Sequence, residues 1–132
     1  MSTKKLKSEY SDLDKYKNDV GDIWYCKKNT RLKHNPYGPA FLNKNGYKAY
    51  MIEDKYHRID GAAVIYQDNT EEYWLNGIFI GDTKQEFYNK IKTLSTKNIN
   101  KQDKINILNI KNSILLGLDS EGANILKLLL WQ

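Results

Sequence analysis

Apolar and polar positions follow two different periods along this chain, and the switches between them divide it into three parts. In residues 3–19, Leu6, Tyr10, Leu13 and the aliphatic stem of Lys17 recur at i, i+4, i+7 and i+11 among Ser, Asp and Lys. That spacing predicts an amphipathic helix, which Gly21 terminates. From Ile23 to Ile80 the pattern reads as a meander of short strands, near 23–27, 39–43, 47–52, 55–58, 63–66, 71–75 and 78–80. Asn45-Gly46 and Asn76-Gly77 sit between aromatic or branched runs and predict tight hairpin turns, because both central residues of a type I′ turn need positive φ. Glu53-Asp54 and Asp68-Asn69 hold the corresponding places in the neighbouring hairpins. After Gly81 the helical period returns. Thr83-Lys84-Gln85-Glu86 has the form of a capping box, followed by Phe87, Ile91 and Leu94, which predicts a helix over about 84–95. A polar linker leads to a second helix near 102–116, ending at Gly117. Asp119 or Ser120 then caps a last helix through Trp131, apolar on nearly every side and so expected to be buried in this molecule or in a partner.

Within the strand region the sequence repeats every 23 residues. His34-Asn35-Pro36-Tyr37-Gly38-Pro39-Ala40 returns as His57-Arg58-Ile59-Asp60-Gly61-Ala62-Ala63, and Tyr50-Met51-Ile52-Glu53-Asp54 returns as Tyr73-Trp74-Leu75-Asn76-Gly77. A fixed period of this length marks copies of one supersecondary unit, here a hairpin plus a His-x-x-x-Gly-x-Ala loop. Two good copies and a worn third at Ile80-Gly81-Asp82 are too few for an open solenoid. The expected fold is α+β, in a single domain of 132 residues. An N-terminal helix (1–21) precedes an antiparallel meander of hairpin repeats (22–82), and two or three C-terminal helices (83–132) close the open sheet edge.

Trp24-Tyr25, His57-Arg58-Ile59-Asp60-Gly61-Ala62-Ala63 and Tyr73-Trp74-Leu75-Asn76-Gly77 together resemble the W-Y-x-N-G-x-x-H-R-x-D-G-P-A repeat. The repeat belongs to the MORN-like β-hairpin arrays of small proteins from tailed bacteriophages and large DNA viruses. The resemblance spans about residues 24–95 and implies a hairpin array followed by a helix at Thr83–Phe87. The first copy departs from the pattern at Asn35 and Tyr37, the second at Ala62, and the third lacks the His-Arg step.

Composition narrows the function classes. The longest apolar runs, Ile114–Leu116 and Leu128–Trp131, fall far short of the ~20 residues of a membrane helix. The basic start has no apolar stretch behind it, and Cys26 is the single cysteine, so a reducing cytoplasm is expected. The net charge of +5 is carried almost wholly by lysine in a Lys/Asn/Ile/Tyr-rich chain, a bias that an AT-rich genome produces without selection for nucleic acid.

The most polar constellation at a fixed place in the repeat is His57, Arg58 and Asp60. Its functional reading is a small recognition site in which the guanidinium binds a carboxylate or phosphate. In the structural reading, which repetition favours, Asp60 caps a turn and Arg58 pairs with it. Two histidines, His34 and His57, fall short of the four ligands of a structural zinc site, and Cys26 in a strand has no assignable base. No cofactor, metal or catalytic group is therefore expected, and the chain reads as non-enzymatic. Trp24, Tyr50, Tyr73 and Trp74 are candidate binding residues, with Tyr25, Tyr47, Tyr56 and Tyr66 also in the strand region. Leu126, Leu130 and Trp131 are candidate interface or self-association residues, since Trp, Tyr and Arg dominate interface energetics. The leading expectation is a protein-interaction module, a phage or viral accessory protein acting on a host or viral protein. The alternative is a nucleic-acid-binding protein that stacks bases on a basic, aromatic-rich sheet face.

Overall fold

The computed structural model describes residues 3–93 and 101–116, with side chains placed through most of them. The chain divides into two compact units, Met1–Thr83 and Lys84–Gln132. The described strands lie in the first: β1 (Thr3–Leu6), β2 (Leu13–Asn18), β3 (Ile23–Lys27), β4 (Phe41–Leu42), β5 (Lys48–Ala49), β6 (Met51–Ile52), β7 (Lys55–Tyr56), β8 (Val64–Ile65), β9 (Glu71–Leu75) and β10 (Ile78–Gly81). Eight of them form an antiparallel sheet in the order β1-β2-β3-β4-β5-β8-β9-β10, and β6 pairs with β7 as a separate hairpin. In the second unit, α1 (Lys84–Thr93) and α2 (Lys101–Leu116) contact each other, with Phe87, Ile91 and Ile107 fully buried. The fold is α+β, and Thr83 stands at the position before α1 where an N-cap belongs.

The strands from β3 onward lie near their expected places, although most ladders are only two residues long and the expected strand 47–52 splits between β5 and β6 in different sheets. Asn76-Gly77 and Glu53-Asp54 have both residues at positive φ, as a type I′ turn needs, whereas Asn45-Gly46 and Asp68-Asn69 have only Gly46 and Asn69 there, because these longer turns close around the residue 43 and 66 backbone instead. The N-terminal helix is a correction. Residues 3–6 and 13–18 are strands, β1 pairing with β2 and β2 with β3 in the register Leu13↔Lys27 through Lys17↔Ile23. Three apolar positions at helical spacing are outweighed by cross-strand pairing and by a turn that Asn18 builds. Its Oδ1 accepts from Val20 N and Asp22 N, and Gly21 takes φ +93°. Such local side-chain acceptors compete directly with helical bonding.

Three turns share one bonding pattern. Asn18 N donates to Asp22 O, Asn43 N to Tyr47 O and Tyr66 N to Thr70 O. Each is closed in addition by a positive-φ residue, Gly21, Gly46 or Asn69, donating back to residue 18, 43 or 66. The hairpins β2–β3, β4–β5 and β8–β9 are thus equivalent, and β2–β3, which the 23-residue period does not reach, sits 25 residues before its counterpart. Their core is built from small and aromatic residues in matching places. Ala40 and Ala63 are fully buried, Tyr25 and Tyr73 nearly so, and Leu13, Ile59, Ala62 and Leu75 complete it. The expected last helix and its capping role, with Leu126, Leu130 and Trp131, lie outside the described residues.

One substitution separates strand from helix at the N-terminus. Asp14 is buried and accepts from Asn29 N at 3.0 Å, with Lys5 Nζ 3.5 Å away. These hydrogen bonds and the Lys5 charge hold its carboxyl below the usual range. Asp14→Ala should clearly lower the melting temperature by orphaning the Asn29 N–H. On a solvated helix face the same change would be silent.

Candidate interaction surface

The His-x-x-x-Gly-x-Ala segment is a joint between hairpins, and its polar residues are engaged within it. His34 Nδ1 accepts from Glu53 N at 3.1 Å, and His57 Nδ1 accepts from Asn76 N at 3.0 Å. Both donors are positive-φ residues of a turn one hairpin further on, β6–β7 for Glu53 and β9–β10 for Asn76, with φ +47° and +49°. Asp14 serves the preceding turn in the same way, through Asn29 at φ +62°. Backbone bonds recur alongside at the same 23-residue interval. Asp54 N donates to Lys33 O and Gly77 N to Tyr56 O, while Asn35 N donates to Met51 O and Arg58 N to Trp74 O. His34 therefore fixes the β6–β7 tip and His57 the β9–β10 tip, and accepting at Nδ1 leaves the neutral ring's proton on Nε2.

Arg58 is held just as fully. Its Nε donates to Asp60 Oδ1 at 3.0 Å, the pair anticipated across the loop, and an Nη donates to Ala62 O at 3.1 Å. The guanidinium carbon lies 3.9 Å from the Tyr50 ring centroid, a cation–π contact. In the first copy Asn35, itself buried, takes the same role by donating from Nδ2 to Pro39 O. This close packing explains the glycine at 61, where a Cβ would lie 2.8 Å from the Arg58 guanidinium carbon. Gly38 has no such crowding, its nearest contact being 3.9 Å. Arg58 thus joins Asp60 and the Tyr50 ring, and His57 N donates to Tyr50 O while its imidazole holds Asn76; Tyr73 is buried. Of the aromatic candidates, Trp24 and Trp74 remain on a half-exposed face.

The register lines that face with aromatics. Cross-strand partners run Tyr16↔Trp24↔Phe41↔Ala49↔Val64↔Glu72 from β2 to β9, and Trp74 pairs with Phe79 on β10. Tyr16 and Trp24 stack with centroids 5.9 Å apart, and Trp24 and Phe41 with centroids 6.4 Å apart, at interplanar angles of 22° and 18°. Phe41 meets Tyr47 edge-on, Tyr47 meets Tyr66, and Trp74 contacts both Tyr56 and Phe79. Hydroxyl bonds join the groups. Tyr47 is bonded to Tyr56, and burial pushes its phenol well up; Tyr66 is bonded to Glu72, which accepts from Trp74 Nε1 at 3.1 Å. Ala49 and Val64, almost wholly buried, form the floor between the rings.

The neighbouring row, Lys17↔Ile23↔Leu42↔Lys48↔Ile65↔Glu71, points to the opposite face because adjacent strand residues alternate. Tyr16, Phe41 and Phe79 were not candidates from sequence. The helical reading of residues 3–19 hides Tyr16, Phe41 becomes visible only once turn 43–47 fixes the β4–β5 register, and Phe79 only once the Asn76-Gly77 turn sets it opposite Trp74.

Other chemistry is sparse here. Cys26 is buried, and that burial raises its thiol pKa, which suits a structural residue. Among the described residues no group of three or more His, Cys, Asp or Glu is placed to hold a metal, and no helix is long and apolar enough to cross a membrane. An open depression lined by Tyr66, Gln67, Asp68 and Thr70 lies at a hairpin tip. Comparison with known protein families, with curated proteins and with solved structures finds no match to the chain.

Two sets of variants test the joint. His34→Ala and His57→Ala should each destabilise by about 1–2 kcal/mol, the cost of a turn donor left without its acceptor. Burial and then Lys27 hold the His34 imidazolium below its ordinary pKa, against smaller opposing effects of Glu53 and Asp12. The unfolded chain therefore takes up the proton first. This contribution to stability is complete above about pH 6.5 and is lost as pH falls through that value toward the lower folded one. Urea unfolding at about pH 7.5 and about pH 5.5 should show the loss, and His34→Gln should flatten it. Gly61→Ala should cost about 1–2 kcal/mol and Gly38→Ala far less, with the Gly61 penalty shrinking in an Arg58→Ala background.

Proposed function

We propose that the chain is a non-catalytic protein-interaction module of the MORN-like hairpin type, a phage or viral accessory protein that docks a host or viral protein in the cytoplasm. The observation that carries this reading is the continuous aromatic row across one sheet face. Half-exposed rings over a floor of Ala49 and Val64 offer broad apolar area at low entropy cost, and their hydroxyls and the Glu72 carboxylate add fixed polar points. Protein surfaces use such rings as anchors. The polar loop cluster gives a recognition role less support, because His57, Arg58 and Asp60 are occupied in joining hairpins.

Two features count against the nucleic-acid alternative. Tyr16, Trp24 and Phe41 stack on one another, so their π-faces are turned to neighbouring rings and not outward to receive bases. Lys4, Lys17 and Lys48 belong to the opposite row, and Lys5, which pairs with Tyr16 at the end of the aromatic row, faces the Asp14 carboxylate at 3.5 Å, so little positive charge is left beside the aromatics for a phosphate-bearing strand.

The test compares tagged wild-type protein with a Trp24→Ser/Phe41→Ser variant in affinity capture from host and infected-cell lysate. A partner retained by the wild type at high salt and lost by the folded variant is the expected result. A partner held equally by both would remove the aromatic row from the reading. Salt-sensitive binding of single-stranded DNA or RNA, abolished by Lys17→Glu/Lys48→Glu, would put the alternative in its place.

A further inference from the structure

The sheet is electrically polar from one edge to the other. Residues 3–33, which supply β1–β3, carry nine basic side chains against five acidic ones. Residues 63–83, which supply β8–β10, carry Asp68, Glu71, Glu72 and Asp82 and no lysine or arginine. Among the described residues β1 pairs only with β2 and β10 only with β9, so these opposite ends are the two edges. The edges also differ in kind. Strand β1 carries exposed Lys4 and is followed by exposed Lys7, with Lys5 turned toward Asp14. Strand β10 presents Ile78 and Phe79, 65% and 50% exposed, with exposed Asp82 just beyond and exposed Glu71 on the adjoining strand.

Lysines on an edge strand ordinarily block strand addition, and they do so against an edge like themselves. Two β1 edges repel, and two β10 edges bring like carboxylates together. A β1 edge against a β10 edge instead pairs Lys4 and Lys7 with the carboxylates around Glu71 and Asp82, and brings Leu6 to the exposed Ile78 and Phe79. Both strands are four residues long, so one ladder matches the other. We propose that copies of this chain associate head to tail, the basic β1 edge of one adding to the acidic, apolar β10 edge of the next. Such an interface is heterologous, and repetition of it extends the sheet into an open array. The contact is small and charge-dependent, which makes it weak and sensitive to salt. It shares Phe79 with the aromatic face but does not rest on the proposed function, whose test residues Trp24 and Phe41 lie away from both edges.

The test uses the full chain in sedimentation velocity over a range of concentrations, in about 0.1 M and about 1 M salt. The expected result is a mass that rises with concentration at low salt and returns toward the monomer at high salt. Lys4→Glu/Lys7→Glu and Glu71→Lys/Asp82→Lys should each stay monomeric at low salt. An equimolar mixture of the two should associate again, because each then offers the charge that the other lacks. The four side chains are exposed, and an unchanged far-UV circular dichroism spectrum checks the fold. If either reversal misfolds, alanines at the same positions should weaken association without the rescue. A monomer at every concentration, assembly indifferent to salt and to these substitutions, or a mixture of folded reversal variants that stays monomeric would each overturn the proposal.

Discussion

Everything in the sheet unit follows from how the N–H of a strained turn residue is satisfied. Gly21, Gly46 and Asn69 spend their N–H on closing their own turns, but at three other tips the N–H of a positive-φ residue is not used by the strands it joins. In this chain an acceptor from an earlier element takes it: Asp14 for Asn29, His34 for Glu53 and His57 for Asn76. The bond ties each tip to a segment earlier in the chain, for the histidines across an intervening hairpin, and so fixes the tip's position. With the tips fixed, the ladders behind them have one available register, even where they are only two residues long. Short strands of this kind would slip if the pairing alone had to specify them.

That constraint accounts for the chemistry of the loop residues. A loop that runs from one hairpin to the next over Ala40 or Ala63 has little room, and the side chain after the histidine must brace it. Asn35 does so with one amide bond, and Arg58 with a carbonyl bond, an ion pair and a ring contact. Only the larger brace crowds its glycine, which is why equivalent glycines have unequal structural demands. A polar cluster at a fixed place in the repeat is therefore compatible with purely mechanical work. The surface free to meet another molecule is left to the rings whose positions the joints determine.

Much of this was legible in the chain, and the failures have identifiable causes. The 23-residue period aligns His34 with His57 and Glu53 with Asn76 in the sequence, and the structure shows that each histidine accepts from the turn residue aligned with the other's partner. The equivalent hairpin at the N-terminus escaped because its interval is 25 and its markers differ. Asp14 acts where later copies use histidine, and Lys15 stands where they use alanine. With those markers absent, Leu6, Tyr10 and Leu13 were read by spacing alone, and spacing cannot register the cross-strand partner that decides the outcome. The same omission hid Tyr16 from the aromatic row. Whole-sheet register is a property of joints and turns taken together, so a face built across six strands is not visible in any one of them.

The end of the array is explained by the same bond. The third histidine position is Ile80, and among the described residues no further hairpin tip follows β10 to offer a turn N–H. A histidine there would have no structural donor to accept from, so the loss that makes the third copy look worn is what a terminal copy requires. The replacement is not neutral in its consequences, however. With Ile78 and Phe79 beside it, the last strand exchanges a polar joint for an apolar edge. At the other end of the sheet, Asp14 closes the first joint from within the hairpin itself, and lysines line the outer strand. The two ends of the repeat are thus finished by different chemistry. An array ended by identical caps would have no direction, whereas this one is distinguishable end from end by charge and by apolar exposure.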